Sequence, residues 1–94
     1  MRLSKKELET IKETIGNIFG DVVVYLFGSR VDESKKGGDI DLYIIPSLNK
    51  NLFQKKRKLK VILEDLLFKP VDIVLSKDPE RLIEKEALKG VRIL

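Results

Sequence analysis

Val22-Val23-Val24-Tyr25-Leu26-Phe27-Gly28-Ser29, followed after nine residues by Asp39-Ile40-Asp41-Leu42-Tyr43-Ile44-Ile45, is the stretch on which the fold turns. The first run is short, continuous and β-branched, as suits a strand buried on both faces. Gly28 breaks it. Residues 28–38 are polar, carry three glycines and form a connection. The second run reads as another strand, stopped by Pro46. Side chains alternate along a strand, so Asp39 and Asp41 point to one face, roughly 6.5–7 Å apart. Two carboxylates so placed repel each other and lose solvation if buried, so solvent or a cation has to compensate.

The segments on either side alternate between helical and extended patterns. Upstream, Ser4 is a helix cap with Glu7 as its capping-box partner, and Leu3 can staple onto Leu8. Leu8, Ile11, Ile15 and Ile18 repeat at helical spacing, which predicts a helix over 5–18 ended by Gly20. Downstream, Leu52, Leu59, Ile62, Leu63 and Leu66 predict one apolar side of a helix between about Asn51 and Phe68. Val71-Asp72-Ile73-Val74-Leu75 reads as a third strand, reached through a right-handed crossover. Asp78-Pro79-Glu80 has the form of a cap with proline at the first helical position, and Gly90 would close a last helix near Lys89. The expected class is therefore α/β (α+β): a small mixed β-sheet with helices, in the order α-β-β-α-β-α.

Composition narrows the chemistry. The chain has 94 residues, suited to a single domain over 1–94. It contains neither cysteine nor histidine, which removes disulfides, thiol chemistry, histidine bases and most zinc sites. Catalysis is left to Asp, Glu, Lys, Arg, Ser or Tyr. The net charge of +4 is a mild basic excess, compatible with phosphate-bearing partners. Met1-Arg2-Leu3-Ser4-Lys5 leads into the first helix without a signal-like apolar core, and no apolar run approaches the roughly 20 residues that span a bilayer. A soluble, cytoplasmic protein without a membrane partner is the expectation.

Asp72 sits among Val71, Ile73 and Val74, an unusual setting for a carboxylate. With the third strand beside the second, Asp72 reaches the spot occupied by Asp39 and Asp41. Hard oxygen ligands of this kind suit Mg²⁺, and three carboxylates suit a two-metal displacement at phosphorus. Gly28 lets the backbone approach a ligand closely. The following N–H groups, the Ser29 hydroxyl and Arg30, with Lys35 or Lys36, could hold a triphosphate. The spacing is not that of a Walker loop.

Leu26-Phe27-Gly28-Ser29-Arg30 and Asp39-Ile40-Asp41-Leu42, at this separation, resemble the signature of the DNA polymerase β-like nucleotidyltransferase superfamily. Within it the chain is similar to the minimal nucleotidyltransferases of bacteria and archaea, often the antitoxin partner of a HEPN-domain protein. The likeness extends over nearly the whole chain, including Pro70-Val71-Asp72-Ile73-Val74 and the tail from Ile83 to Gly90. The resemblance implies that Asp39 and Asp41 bind metals, that Asp72 is the third carboxylate, and that Gly28 and Ser29 hold the nucleotide phosphates. It implies Mg²⁺, in two ions, and ATP as substrate. It also implies AMP transfer to a hydroxyl, a tyrosine of a HEPN toxin. There is one departure. Minimal members often read Gly-Ser-x-Ala-Arg-Gly, whereas Val31-Asp32-Glu33 follows Arg30 here, so the second arginine is absent.

Plainer readings stand beside these. Asp39 can simply open a strand, and Asp41 can lie on a solvated face. The cluster Lys55, Lys56, Arg57, Lys58 and Lys60 is the solvated side of an amphipathic helix, and nucleic-acid binding through it is the weaker alternative. Tyr25 and Tyr43 read as packing residues. A non-catalytic antitoxin that acts by binding is the main competitor to an enzyme, with Leu82, Ile83, Ala87 and Leu88 as its apolar patch. A homo-oligomer is left open.

Overall fold

Ser4 starts the first helix by the mechanism its spacing suggests. Its hydroxyl accepts from the Glu7 amide, and the Glu7 carboxylate accepts from the Ser4 amide. The computed structural model describes residues 3–28 and 39–94. In chain order these form α1 (Lys5–Phe19), β1 (Val22–Phe27), β2 (Ile40–Pro46), α2 (Leu52–Leu67), β3 (Val71–Leu75), α3 (Leu82–Leu88) and β4 (Val91–Arg92). Gly20, at φ 72°, ends α1 as expected.

The sheet order is β3-β2-β1-β4. β1 and β2 pair antiparallel, and the β2–α2–β3 crossover makes β2 and β3 parallel neighbours. Alternation then divides the side chains. Val24, Leu26, Ile40, Leu42, Ile44, Val71 and Ile73 form one face, packed against Ile11 and Ile15 of α1 and Leu59 and Leu63 of α2. Each large aliphatic side chain so buried contributes roughly 1.5–3 kcal/mol relative to exposure. Leu52 and Leu67 extend the buried side of α2. Leu66, expected on that side, is instead 51% exposed. Position 66 is seven residues from Leu59, about 20° further round than a strict heptad allows, and Leu67 takes the inward position.

The opposite face is covered over part of its area by α3. Phe27, Tyr43 and Ala87 pack there, with Tyr25, Ile45 and Val74 at the margin. Ala87 is fully buried, so it does not belong to the exposed apolar patch expected of this helix. Tyr25 and Tyr43 are packing residues, with ring centroids 6.2 Å apart.

Two further expectations need correction. Asp78-Pro79-Glu80 does not cap α3. Asp78 Oδ1 accepts from the Glu80 amide within a preceding turn, and the helix starts at Leu82 with Arg81 at its cap position. Lys89 rather than Gly90 occupies the helix C-cap. Gly90 has a different task, since a side chain there would collide with the Leu26 carbonyl and the Phe27 side chain. That close approach admits a strand the sequence pattern does not reveal. β4 pairs antiparallel with β1, and Val24 exchanges hydrogen bonds with Ile93 and Leu94 just beyond it.

Glu84 fastens α3 to the sheet. It is the buried charged residue among those described. Its carboxylate accepts from the Tyr43 hydroxyl at 2.6 Å, the Asp78 amide at 2.8 Å, the Lys77 amide at 3.1 Å and the Arg81 guanidinium at 3.1 Å. Burial alone pushes its pKa up. The bonds from Asp78, Tyr43 and Lys77, with the Arg81 charge, outweigh burial and hold it below 4.5. The same burial, with the neighbouring carboxylate, pushes the Tyr43 hydroxyl up to about 12, so it remains a donor at neutral pH.

Removing this carboxylate strands several buried donors, so Glu84→Ala should destabilise the chain by about 3 kcal/mol or more in urea denaturation. Because the folded pKa is depressed, Glu84 stabilises fully above its unfolded value and loses that contribution as pH falls through the folded one. Glu84→Gln should therefore flatten the acid limb of the stability–pH curve; an unchanged limb would contradict this account.

Candidate functional site

The parallel register of β2 and β3 sets Asp41 directly beside Asp72, on strands spaced roughly 4.8 Å apart. Leu42 and Ile73 point into the helix-covered core, so the alternating Asp41 and Asp72 face the other way. They lie at the end of that face which α3 leaves open. Asp39 stands immediately before β2, two residues from Asp41, and is exposed.

Asp41 is half-buried, and burial raises its pKa above 3.8. The charges of Asp72 and Asp39 raise it further. The three carboxylates therefore share one electrostatic environment, as their spacing suggests. They are not drawn together around one point: among the described residues, no three Asp, Glu, His or Cys side chains converge as a ready ligand set. Asp72 is 60% exposed and has a cation nearby, Lys60 Nζ, 3.8 Å from its Oδ1.

Gly28 completes the described part of the site. Its φ of 77° lies in the region that side chains rarely adopt. A Cβ there would also collide with Asp41 Oδ2. The backbone leaving β1 is thus pressed against the central carboxylate, which only glycine allows. Ser29 and Arg30, with Lys35 and Lys36, lie outside the described residues.

The donor set fits Mg²⁺. Its oxygens are hard, and Asp41 is a carboxylate whose ionised form is opposed by burial and by two like charges. Such a group gains from a divalent cation what it lacks from solvent. A groove of about 420 Å³ lies elsewhere, between the start of α2 and the far half of β3.

Sequence reasoning missed two residues that shape this region. Lys60 belongs to the basic cluster read as solvated, yet its Nζ donates to the Val71 carbonyl at 2.6 Å beside Asp72. Glu84 sits in the last helix between exposed Ile83 and Lys85, and no periodicity marks a buried acid. Its spacing of three from Ala87 places both on one helix face, which was the available signal. Among the described residues, no helix is long and apolar enough to cross a membrane.

Solved structures share this fold. One is the complex of a tri-AMPylated HEPN toxin from Shewanella oneidensis with its MNT antitoxin: 16% identity, 98% of this chain, 72% of the matched chain and a TM-score of 0.77. A toxin–antitoxin structure with AMP-PNP gives 17% identity, 93% and 72% coverage, and a TM-score of 0.77. A chain proposed to be a minimal nucleotidyltransferase gives 24% identity, 93% and 88% coverage, and a TM-score of 0.70. At these identities the likeness shows the fold. No curated relative matches the chain. The family described as polymerase beta, nucleotidyltransferase matches residues 9–94, a span that holds every strand, Gly28 and all three carboxylates. The chain belongs to the polymerase β nucleotidyltransferase family.

Proposed function

We propose that this chain is a Mg²⁺-dependent nucleotidyltransferase that moves AMP from ATP onto a hydroxyl of a protein partner, a tyrosine of a HEPN-domain toxin. The observation that carries the reading is Asp41 held abreast of Asp72 and pressed against the Gly28 backbone. Residues 1–94 act as one domain, in the cytoplasm. Support for the partner comes from relatives of the same fold, solved as antitoxins with HEPN toxins, one of them AMPylated.

Asp39, Asp41 and Asp72 would hold Mg²⁺, which supplies charge neutralisation at the phosphoryl oxygens and lowers the pKa of the attacking hydroxyl. The residues of the chain do the rest. Gly28 brings backbone N–H groups to the phosphates, and Ser29 and Arg30 add a hydroxyl and a charge. Asp72, exposed at the sheet edge, would accept the proton of the acceptor hydroxyl. The hydroxyl oxygen bonds to the α-phosphorus, the bond to the bridging oxygen breaks, and pyrophosphate leaves with that electron pair.

A second reading, an antitoxin that acts by binding, draws on the exposed apolar side chains at the C-terminal end. Leu82 is 81% exposed, Ile83 43% and Leu88 41%. Retention of Asp39, Asp41 and Asp72 favours the enzyme, because binding alone does not require mutually repelling carboxylates.

NMR titration with ATP separates the two. Mg²⁺-dependent shifts at Gly28, Asp41 and Asp72 are expected, and Asp41→Asn should abolish them; shifts that persist in that variant would remove the site assignment.

Stability supplies an independent check. A raised folded pKa means that Asp41 lowers stability as pH rises from its unfolded value through the folded one, and does so fully at neutral pH. Asp41→Asn should therefore raise the apo-protein Tm at pH 7 and leave it unchanged near pH 2. Mg²⁺ should raise the wild-type Tm and not that of the variant.

Gly28→Ala places a methyl against Asp41 at a positive φ. A stability loss of about 1–2 kcal/mol is expected in urea denaturation, with loss of the ATP-dependent shifts. Wild-type binding in that variant would show that the Gly28–Asp41 contact is not needed.

A further inference from the structure

β3 is the edge of the sheet. In its parallel register with β2, the Pro70 carbonyl accepts from Ile40 and the Ser76 amide donates to Ile44. Even-numbered positions therefore turn their peptide groups inward to β2, and Val71, Ile73 and Leu75 turn theirs outward. An open edge is a template for another strand, and proteins commonly blunt it.

Here the blunting is partial and its limits are sharp. At one end, the Val71 carbonyl accepts from Lys60 Nζ at 2.6 Å, and the Val71 amide donates to Glu64 Oε2 at 2.9 Å. Two side chains of α2 thus take the place of a neighbouring strand. At the other end, the Lys77 amide donates to buried Glu84. Between them, among the described residues, no hydrogen bond reaches the outward N–H and C=O groups of Ile73 and Leu75.

That gap opens onto the groove of about 420 Å³. Leu52 and Phe53 supply apolar surface, and the Phe53 ring is 67% exposed. Lys56, Lys77 and Arg81 line the same groove, and among the described residues no acidic side chain does. Arg81 also pairs with Glu84, its side chain still 42% exposed.

We infer that the outer edge of β3 at Ile73 and Leu75 is a strand-addition site for a short, extended, acidic segment of a partner protein. The four free peptide groups give the backbone bonds, Phe53 and Leu52 take an apolar side chain, and the three cations select for acidic ones. A segment of three to five residues fills the gap, because Lys60–Glu64 and Glu84 close the edge on either side. The inference stands apart from the nucleotide site and needs neither metal nor ATP.

Amide exchange of the whole chain, read residue by residue by NMR, tests it. The probe is an acetylated, amidated hexapeptide alternating glutamate and valine. At saturation it should slow exchange at Ile73 and Leu75 by at least about tenfold and shift the Phe53 ring. The same peptide with lysine for glutamate, or with alternate amides N-methylated, should do neither. Lys56→Glu combined with Lys77→Glu should remove the protection while leaving the remaining amide spectrum native. Absence of protection at saturation, or equal protection by the lysine peptide, overturns the proposal. Protection that rises with protein concentration without peptide assigns the edge to a second copy of the chain, and also overturns it.

Discussion

The parallel pairing of β2 with β3 is the constraint on which the site depends. In that register Asp41 and Asp72 are forced abreast, and a shift of one residue would turn Asp72 into the apolar core under α2. The register is held from both sides. On one face Ile40, Leu42, Val71 and Ile73 are locked among α1 and α2 side chains. At the edge, Lys60 and Glu64 grip both peptide groups of Val71. Burial of the apolar half of each strand thus holds together two like charges that would otherwise separate.

The two faces of the sheet have different duties. The face under α1 and α2 carries the main apolar core and no described charge. The other is divided between α3, anchored through Glu84 and Tyr43, and the open carboxylate end. Covering the whole of that face would bury Asp41 and Asp72 together. The short α3 avoids this, and its own outer side leaves Leu82 and Ile83 in solvent. Glycine serves both boundaries. Gly28 brings the end of β1 against Asp41, and Gly90 lets β4 close on β1.

Charge is treated differently at Glu84 and at Asp41. Glu84 is buried, and its four donors keep it ionised. Asp41 is half-buried with like charges as neighbours, and it is driven toward protonation. The first arrangement is closed and stabilising. The second is opposed by burial and by two like charges, a kind of perturbation that clusters at functional sites.

Local patterns in the sequence determined much of this. The capping box at Ser4 and Glu7, the limits of β1 and β3, and the crossover between parallel strands all follow from spacing. They depend on periodicity and on hydrogen bonds between residues three or four apart. Tertiary structure alone decided the rest. β4 exists because Gly90 lets a two-residue strand reach β1, a contact too short to leave a pattern. Leu66 faces solvent because Leu67 is better placed over the sheet. Asp78 serves a turn rather than a helix because Glu84, fixed by distant Tyr43, has claimed the amides around it. Asp41 and Asp72 are 31 residues apart in the chain, and only the register of their strands makes them neighbours. Each of these depends on what lies across the fold, where sequence spacing carries no information.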